Sequence, residues 1–147
     1  MKINFTKKQF KTLLDLIFTG EYIINGIRLS DEAIEEYEEL QQYIYSFAKA
    51  FGYEDLIEYN KEYGMFFETG EYDESGIHNL IEEYDDQVFW TELASNLAKR
   101  DISIEVGERE IEHEELMVKL WKREEEYNDE FYENGLDNVI IELNSKT

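Results

Sequence analysis

Apolar residues recur every three to four positions along most of the chain, which predicts a mainly α-helical protein. The first helix is predicted to begin after Thr6, a favourable N-cap, and Gln9 lies at the spacing of a capping box. Its apolar positions are Phe10, Leu13, Leu14, Ile17, Ile24 and Ile27. Gly20 and Gly26 lower its helical propensity, so we expect it to bend or end between residues 20 and 29.

A second helix is predicted from Ser30, its N-cap, to Gly52, a residue type that commonly ends helices. Its apolar positions are Ile34, Tyr37, Leu40, Ile44, Phe47, Ala48 and Phe51. Its opposite face carries the carboxylates Asp31, Glu32, Glu35, Glu36, Glu38 and Glu39. The pattern therefore predicts a helix with one face in the core and the other forming a carboxylate surface.

A third, shorter segment at about 53–68 is rich in Tyr and Phe, is interrupted at Gly64 and is closed by Gly70. The helical pattern resumes from about Gly76 to Tyr84. The apolar positions then move to a different helix face: Phe89, Leu93 and Leu97 are out of phase with Ile77 and Ile81. We therefore predict a break at 84–86, with Asp85 capping a new helix that ends at Lys99-Arg100.

The C-terminal third contains one long helix, predicted from about Arg109 to Asn134 with Gly135 as its C-cap. Before it, the alternation in 102–106 fits a short strand, a loop or a helix start. Short strands are predicted at 2–5 and 138–143, and they could pair with each other. A length of 147 residues predicts one domain, 1–147. The predicted class is mainly α, a single-domain bundle of about five to six helices with short N- and C-terminal strands.

Residues 84–93 read Tyr-Asp-Asp-Gln-Val-Phe-Trp-Thr-Glu-Leu, and residues 97–101 read Leu-Ala-Lys-Arg-Asp. This pattern resembles that of an uncharacterised group of small acidic helical proteins of bacteria and phages. The first and last predicted helices are also similar in layout to those of this group, so the resemblance extends over most of the chain. It implies a helical fold in a bacterial or phage setting and implies no activity. We expect the adjacent Phe89 and Trp90 to lie in the core.

The charge is strongly negative and concentrated, with a formal net charge of −22 at pH 7. Between Leu29 and Ala98 the chain has 19 acidic residues and two basic ones, Lys49 and Lys61. Such a field disfavours direct binding to nucleic acid and to anionic membrane surfaces. The 11 Tyr, 9 Phe and 2 Trp distinguish the chain from disordered acidic tails, which are poor in aromatic residues.

The cellular setting is inferred from what the composition lacks. No cysteine is present, so disulfides and thiolate metal sites are excluded. No segment has the form of a secretion signal, and no apolar run reaches the roughly 20 residues of a membrane span. We therefore expect a protein of the bacterial host cytoplasm, with no membrane association.

No motif indicates catalysis, and we expect a protein that is not an enzyme and needs no cofactor. Nucleophile motifs and phosphate-binding loops are both absent. Glu110 and His113 have the Glu-x-x-His spacing of di-iron bundles, which leaves a metal-binding helical protein as an alternative. Segment 71–82 is a poor match to a calcium loop, because its first position is Glu71 and its fifth is Ser75.

The carboxylates themselves are the remaining functional feature. Acidic residues at helical spacing repeat a negative charge every roughly 5–6 Å, as closely spaced phosphates do on a nucleic acid. We therefore predict a nucleic-acid-mimicking inhibitor of a basic nucleic-acid-binding protein, such as a CRISPR effector or restriction nuclease. The residues predicted to bind this partner are Glu32, Glu35, Glu36, Glu39, Glu54, Asp55, Glu58 and Glu62.

Two other interpretations of the charge stay open. An antitoxin or immunity partner of a basic toxin would need the same acidic surface. A face that is only solvated would also explain it. The tyrosines among the acids favour an interface, because Tyr adds contact area at low entropic cost. They are Tyr43, Tyr45, Tyr53, Tyr59, Tyr63 and Tyr72. The pattern indicates no particular oligomeric state.

Overall fold

The computed structural model describes residues 3–141 of the chain. The chain divides into two compact units, Met1–Glu82 (unit 1) and Glu83–Thr147 (unit 2). The elements in order are α1 (Lys7–Asn25), α2 (Glu35–Tyr45), a 3₁₀ helix (Ala48–Phe51), β1 (Ile57–Asn60), β2 (Met65–Glu68), α3 (Gly70–Asp73), α4 (Ile77–Val106) and α5 (His113–Asn134). The predicted mainly α class with short paired strands is confirmed, whereas the single domain 1–147 stays a prediction.

Helix α1 begins as its sequence predicts. The Thr6 hydroxyl accepts a hydrogen bond from the Gln9 N–H at 3.2 Å, and the Gln9 side chain accepts one from the Thr6 N–H at 2.9 Å. This reciprocal pair is the predicted capping box. The helix ends at Asn25 and Gly26 follows as its C-cap, within the range predicted for its end.

The core of unit 1 lies where α1 meets α2, the 3₁₀ helix, the hairpin and the start of α4. Its buried members are Phe10, Leu14, Tyr45, Ala48, Ile57, Tyr72, Ile77 and Ile81. Phe10 stacks on Phe51 with ring centres 4.0 Å apart, and Phe18 meets the edge of Tyr72 at 5.4 Å. Aromatic pairs of this geometry add to the stability that comes from burial alone.

Helix α2 is shorter than predicted and begins at Glu35, so the prediction of Ser30 as its N-cap is wrong. The buried side chain of Asn25 explains the late start. Its Oδ1 accepts from the Ile34 N–H at 2.9 Å, and its Nδ2 donates to the Ile34 carbonyl at 3.3 Å. These bonds hold Ile34 in an extended conformation. The helix stops at Tyr45, and Gly52 ends the 3₁₀ helix instead, with a φ of 72°.

The third segment forms an antiparallel hairpin, in which β1 and β2 pair from Ile57 with Glu68 to Asn60 with Met65. The turn between them depends on Asn60, whose Oδ1 accepts from the Glu62 N–H at 2.8 Å. Gly64, with a φ of 69°, adopts the left-handed conformation that closes the turn. The residues that interrupt a helical pattern here are therefore those of a turn.

Helix α4 runs without a break from Ile77 to Val106, so the predicted break at 84–86 and the predicted helix end at Lys99-Arg100 are both wrong. Of the strand, loop and helix start left open for 102–106, the structure has a helix, as the last turns of α4. The phase change has a different cause. Ile77 and Ile81 are buried in the core of unit 1, whereas Ala94, Ala98 and Ile102 are buried in unit 2. The buried positions therefore change between the two units without a break in the helix.

In unit 2, α4 and α5 pair in antiparallel fashion through a ladder of side-chain contacts. Ser95 donates to Glu124 at 2.8 Å, and Lys119 pairs with Glu105 at 2.7 Å. Between these two contacts, the Arg123 guanidinium pairs with the Asp101 carboxylate at 3.2 Å. Because contacting residues rise in number along one helix as they fall along the other, the helices run in opposite directions.

The expected core position of the Phe89-Trp90 pair holds for one of its two residues. Trp90 is partly buried, and its ring lies 5.5 Å from that of Phe131, a buried residue of α5. Phe89 is 49% exposed, so its prediction as a core residue is wrong.

Helix α5 starts four residues later than predicted because the Arg109 guanidinium caps α4, donating to the Val106 carbonyl at 3.0 Å. It ends at Asn134 before Gly135, as predicted.

The chain ends that are described do not form the predicted terminal strands. Residues 3–5 and 138–141 are neither helical nor in a strand, while Lys2 and 142–143 lie outside the described residues. The Val139 N–H donates to the Leu136 carbonyl at 2.9 Å, which makes a turn where the strand would begin. The paired strands of the fold are therefore internal. Among the helices of residues 3–141, none is both long and apolar enough to cross a bilayer.

Candidate functional site

The acidic residues predicted to bind a partner are all exposed, and all lie in unit 1. They are Glu32, Glu35, Glu36, Glu39, Glu54, Asp55, Glu58 and Glu62. Within residues 3–141, the ion pairs involve other carboxylates, those of Asp15, Asp73, Asp101, Glu105 and Glu126. None of the eight therefore forms an ion pair with a basic group of the described chain.

Helix α2 positions three of these carboxylates. Glu35 and Glu36 lie in its first turn, where a negative charge interacts favourably with the helix dipole. Glu39 follows Glu35 by one turn, which separates the two Cα atoms by about 6 Å along the axis. Glu32 lies in the turn that precedes the helix, so its predicted helical spacing from the other three is wrong.

The second group of four is not on a helix face, which corrects the spacing argument for it. Glu54 and Asp55 lie in the turn before β1, Glu58 is on β1, and Glu62 is in the hairpin turn. The Asp55 carbonyl accepts a hydrogen bond from the Thr69 hydroxyl at 2.6 Å. These acids are therefore held by a hairpin and its flanking turns.

Tyrosine contributes to this surface at only some of the predicted positions. Tyr43, Tyr59 and Tyr63 are exposed by 60%, 52% and 66%, and they lie on α2, β1 and the hairpin turn. By contrast, Tyr45 and Tyr72 are fully buried core residues. The exposed three add aromatic area among the carboxylates, whereas the buried two stabilise the fold beneath them.

Apolar residues for which the pattern of the second helix predicts a core position are exposed on α2 and in the turn after it. Tyr37, Leu40 and Phe47 are 45%, 47% and 38% exposed, so their prediction as core residues is wrong. The reason is the orientation of the helix, which turns Gln42 toward the hairpin. The Gln42 amide bonds both the N–H and the carbonyl of Phe66, at 2.7 and 2.9 Å.

A cavity of about 290 Å³ lies in unit 1 between α1, α2 and β2. Its lining residues are Phe18, Glu21, Tyr22, Gly26, Glu38, Gln41, Gln42, Met65, Phe66, Phe67 and Glu68. Three of them are carboxylates, four are aromatic and none is basic. The three carboxylates, Glu21, Glu38 and Glu68, are each partly buried. We call this the acidic-aromatic cavity.

Two hydrogen bonds orient carboxylates in the acidic-aromatic cavity. Glu21 accepts from the Asn25 amide at 3.0 Å, and Glu68 accepts from the Tyr45 hydroxyl at 2.5 Å. Burial, reinforced by the Glu68 carboxylate, raises the pKa of the Tyr45 phenol well above its ordinary value. Tyr45 therefore stays a neutral donor to Glu68. The sequence offered no signal for this cavity, because its carboxylates come from three separate elements.

The metal-site alternative requires Glu110 and His113 to lie on one face of a helix, and the structure does not have this arrangement. Helix α5 begins at His113, so Glu110 lies in the connection before it, and the two do not share a helix face. In the part of the chain that is described, no three His, Asp or Glu side chains are grouped so as to hold a metal ion. The weak calcium-loop match also fails in shape, because Glu71 and Asp73 lie in α3 and Glu82 lies in α4.

Comparison of the chain with protein-family models, with curated proteins and with solved structures gives no match. The resemblance to small acidic helical proteins of bacteria and phages therefore stays a prediction.

Proposed function

We propose that this chain is a non-catalytic interaction protein whose acidic surface on unit 1 imitates nucleic acid toward a basic, nucleic-acid-binding protein. The observation that supports the proposal is the set of eight exposed carboxylates that form no ion pair within the described chain. A protein that only needed solubility could mix both signs of charge on such a face. Unneutralised charge of one sign instead favours a partner of the opposite sign and speeds its association.

Exposed apolar residues on α2 and in the turn after it also support the proposal. Leu40 and Tyr43 lie on α2 with three of the carboxylates, and the ring of Phe47, in the turn, meets that of Tyr43 edge to face at 5.0 Å. Protein interfaces typically combine aromatic anchors with charged groups around them. An interface of this kind would bind by apolar contact and use the carboxylates for specificity and rate.

The partner class follows from the chemistry of the surface. A basic groove that holds phosphates would accept carboxylates presented by a folded body, and a CRISPR effector or a restriction nuclease has such a groove. The proposal places the protein in the bacterial host cytoplasm, where such enzymes act. It assigns no reaction and no cofactor to the chain.

The test is a tagged pull-down from nuclease-treated bacterial lysate with two matched variants. One variant reverses Glu32, Glu35, Glu36 and Glu39 to Lys. The control reverses four exposed glutamates of α5 to Lys, and both sets include two glutamates from the first turn of a helix. The control residues are Glu114, Glu115, Glu125 and Glu133.

The wild type and the control should capture the same basic protein at about 0.1 M salt and release it at about 0.5 M, because salt screens exposed charges. Added DNA or RNA should compete for it, and the α2 variant should not capture it. Capture by the α2 variant at physiological salt would contradict the proposal. Capture of a basic toxin that nucleic acid does not displace would replace it with an antitoxin role.

A further inference from the structure

The lining of the acidic-aromatic cavity indicates which kind of chemical group could bind there. Its carboxylates, Glu21, Glu38 and Glu68, form no ion pair with any basic group among residues 3–141. Partly buried carboxylates are less well hydrated than surface ones, so each gains more from a cation brought close to it. In the free protein, the negative charge of the cavity therefore has no basic group of the described chain paired with it.

Aromatic rings form much of the remaining wall. Phe18 and Tyr22 belong to α1 and stack with ring centres 6.4 Å apart, while Phe66 and Phe67 come from β2. Ring faces attract cations, most strongly where water is partly excluded. Carboxylates together with ring faces suit an organic cation and repel phosphate.

The same chain already binds a cation of its own in this way. The Lys11 ammonium lies 2.6 Å from the Asp15 carboxylate and 4.9 Å from the centre of the Tyr72 ring. That site is occupied by an internal lysine. The acidic-aromatic cavity has the same two kinds of group, and no lysine or arginine lines it.

Size and shape select among cations. A volume of about 290 Å³ is at the lower limit of small-molecule pockets, which are roughly 300–1,000 Å³, so it suits one side chain better than a nucleotide. A guanidinium group is planar, stacks on aromatic rings and can bond two carboxylates at once. An ammonium group lacks that planar stacking surface.

We propose that the acidic-aromatic cavity binds the guanidinium group of an arginine side chain carried by the basic partner. The source of the arginine rests on the proposed function, whereas the affinity of the cavity for a guanidinium does not. The partner would therefore engage unit 1 at two places, the exposed carboxylates and this cavity.

The test is a titration of ¹⁵N-labelled full chain with N-acetyl-arginine amide, followed by backbone amide shifts. N-acetyl-citrulline amide is the control ligand, because it has nearly the same shape and no charge. Arginine should cause saturable shifts at residues 18–22, 38–42 and 65–68, with at least tenfold tighter binding than citrulline. Equal binding of the two ligands, or no saturable shift at these residues, would overturn the inference.

Matched variants locate the site. Glu38→Gln removes a cavity carboxylate for which the structure gives no hydrogen bond, so it should weaken arginine binding about tenfold, or about 1.4 kcal/mol, with the spectrum otherwise preserved. Glu74→Gln removes an exposed carboxylate outside the cavity and should change the affinity less than twofold. Equal effects of the two variants would show general charge attraction and overturn the assignment.

A third ligand separates the two sources of an organic cation. Spermidine that saturates the same amides more tightly than arginine would reassign the cavity to a free polyamine and overturn the proposal. The titration needs no partner protein, and the α2 reversal variant leaves all three cavity carboxylates in place. If the pull-down fails but the cavity still binds arginine, only the proposed function is rejected. If the pull-down succeeds but the cavity does not bind arginine, only the arginine-binding role of the cavity is rejected.

Discussion

The side chain of Asn25 hydrogen-bonds both polar groups of the Ile34 backbone, accepting from its N–H at 2.9 Å and donating to its carbonyl at 3.3 Å. Asn25 is the last residue of α1, and Ile34 is the N-cap of α2. One buried amide therefore determines where the helix that carries Glu35, Glu36 and Glu39 begins.

Asn25→Ala should destabilise unit 1 by about 1–3 kcal/mol, because the partly buried N–H of Ile34 would lose its partner. Urea unfolding followed by circular dichroism, together with amide exchange at Leu14, measures the loss. Asn79→Ala is the matched control, since Asn79 is exposed in unit 1, and its effect should stay within about 0.5 kcal/mol. Equal stabilities of the two variants would contradict the structural role of Asn25.

Local sequence signals were sufficient where the determining contacts are local. The Thr6–Gln9 capping box and the helix end before Gly135 involve residues a few positions apart. The start of α2 depends instead on Asn25, nine residues from Ile34, and its rotation depends on Gln42 contacting Phe66 in a different element. Spacing alone does not encode such contacts, so it predicts the wrong apolar face for α2.

The candidate site could likewise be predicted only in part from the sequence. Exposure of its carboxylates could be predicted, because charged groups are rarely buried without a partner. Their arrangement could not, since a turn centred on Asn60 makes a hairpin out of a segment whose aromatic spacing also fits a helix. The acidic-aromatic cavity joins Glu21, Glu38 and Glu68 across three elements, and only the fold brings them together.

The continuity of α4 can be tested with proline at Asp86. If Asp85 capped a new helix, Asp86 would be its first residue, where proline is well tolerated. In a continuous helix the same residue is internal, and proline costs about 3 kcal/mol or more by removing a backbone hydrogen bond and clashing with the preceding turn. Asp86→Pro should therefore reduce both helix content and unfolding temperature, as measured by circular dichroism.

Two controls accompany the Asp86 proline variant. Asp86→Ala removes only the hydrogen bond that the carboxylate accepts from the Trp90 indole at 3.0 Å. His113→Pro places proline at the first residue of α5, where little loss is expected. A wild-type-like melting curve for Asp86→Pro would instead support a break at Asp85.

Unit 1 should lose stability at alkaline pH because of Tyr45 and Tyr72. Burial first, and then the neighbouring carboxylates of Glu68 and Asp15 respectively, raise the pKa values of these phenols above the ordinary value of about 10. A raised pKa means that the folded state retains the proton more strongly than the unfolded state. Their contribution is therefore fully present below about pH 10 and decreases as the pH rises beyond that value.

Tyrosinate absorbance and circular dichroism, recorded together above pH 10, test this expectation. The phenols of Tyr45 and Tyr72 should ionise only as helix content is lost. Tyr45→Phe should make stability less steeply dependent on pH in this range, whereas Tyr63→Phe, at an exposed position, should leave the dependence unchanged. Complete ionisation of all tyrosines with full helix content would contradict the buried positions of Tyr45 and Tyr72.

Asp101 should make the stability of unit 2 sensitive to acid. The hydrogen bond from Tyr127, followed by that from Arg100, holds the pKa of this carboxyl below its ordinary value of about 3.9. Because the folded state favours the charged form, the contribution is present above about pH 4 and is lost as the pH falls toward the lower folded value. Asp101→Asn should therefore cost about 1–3 kcal/mol at pH 7 and less at about pH 3.

Urea unfolding followed by tryptophan fluorescence isolates this effect, since Trp90 and Trp121 both lie in unit 2. Asp129→Asn is the matched control, because Asp129 is an exposed residue of α5, and it should change the free energy of unfolding by less than about 0.5 kcal/mol at either pH. A loss in Asp101→Asn that is equal at both pH values would mean that the variant removes packing alone. A loss confined to neutral pH would instead identify the charged hydrogen bonds of Asp101 as the stabilising contacts between α4 and α5.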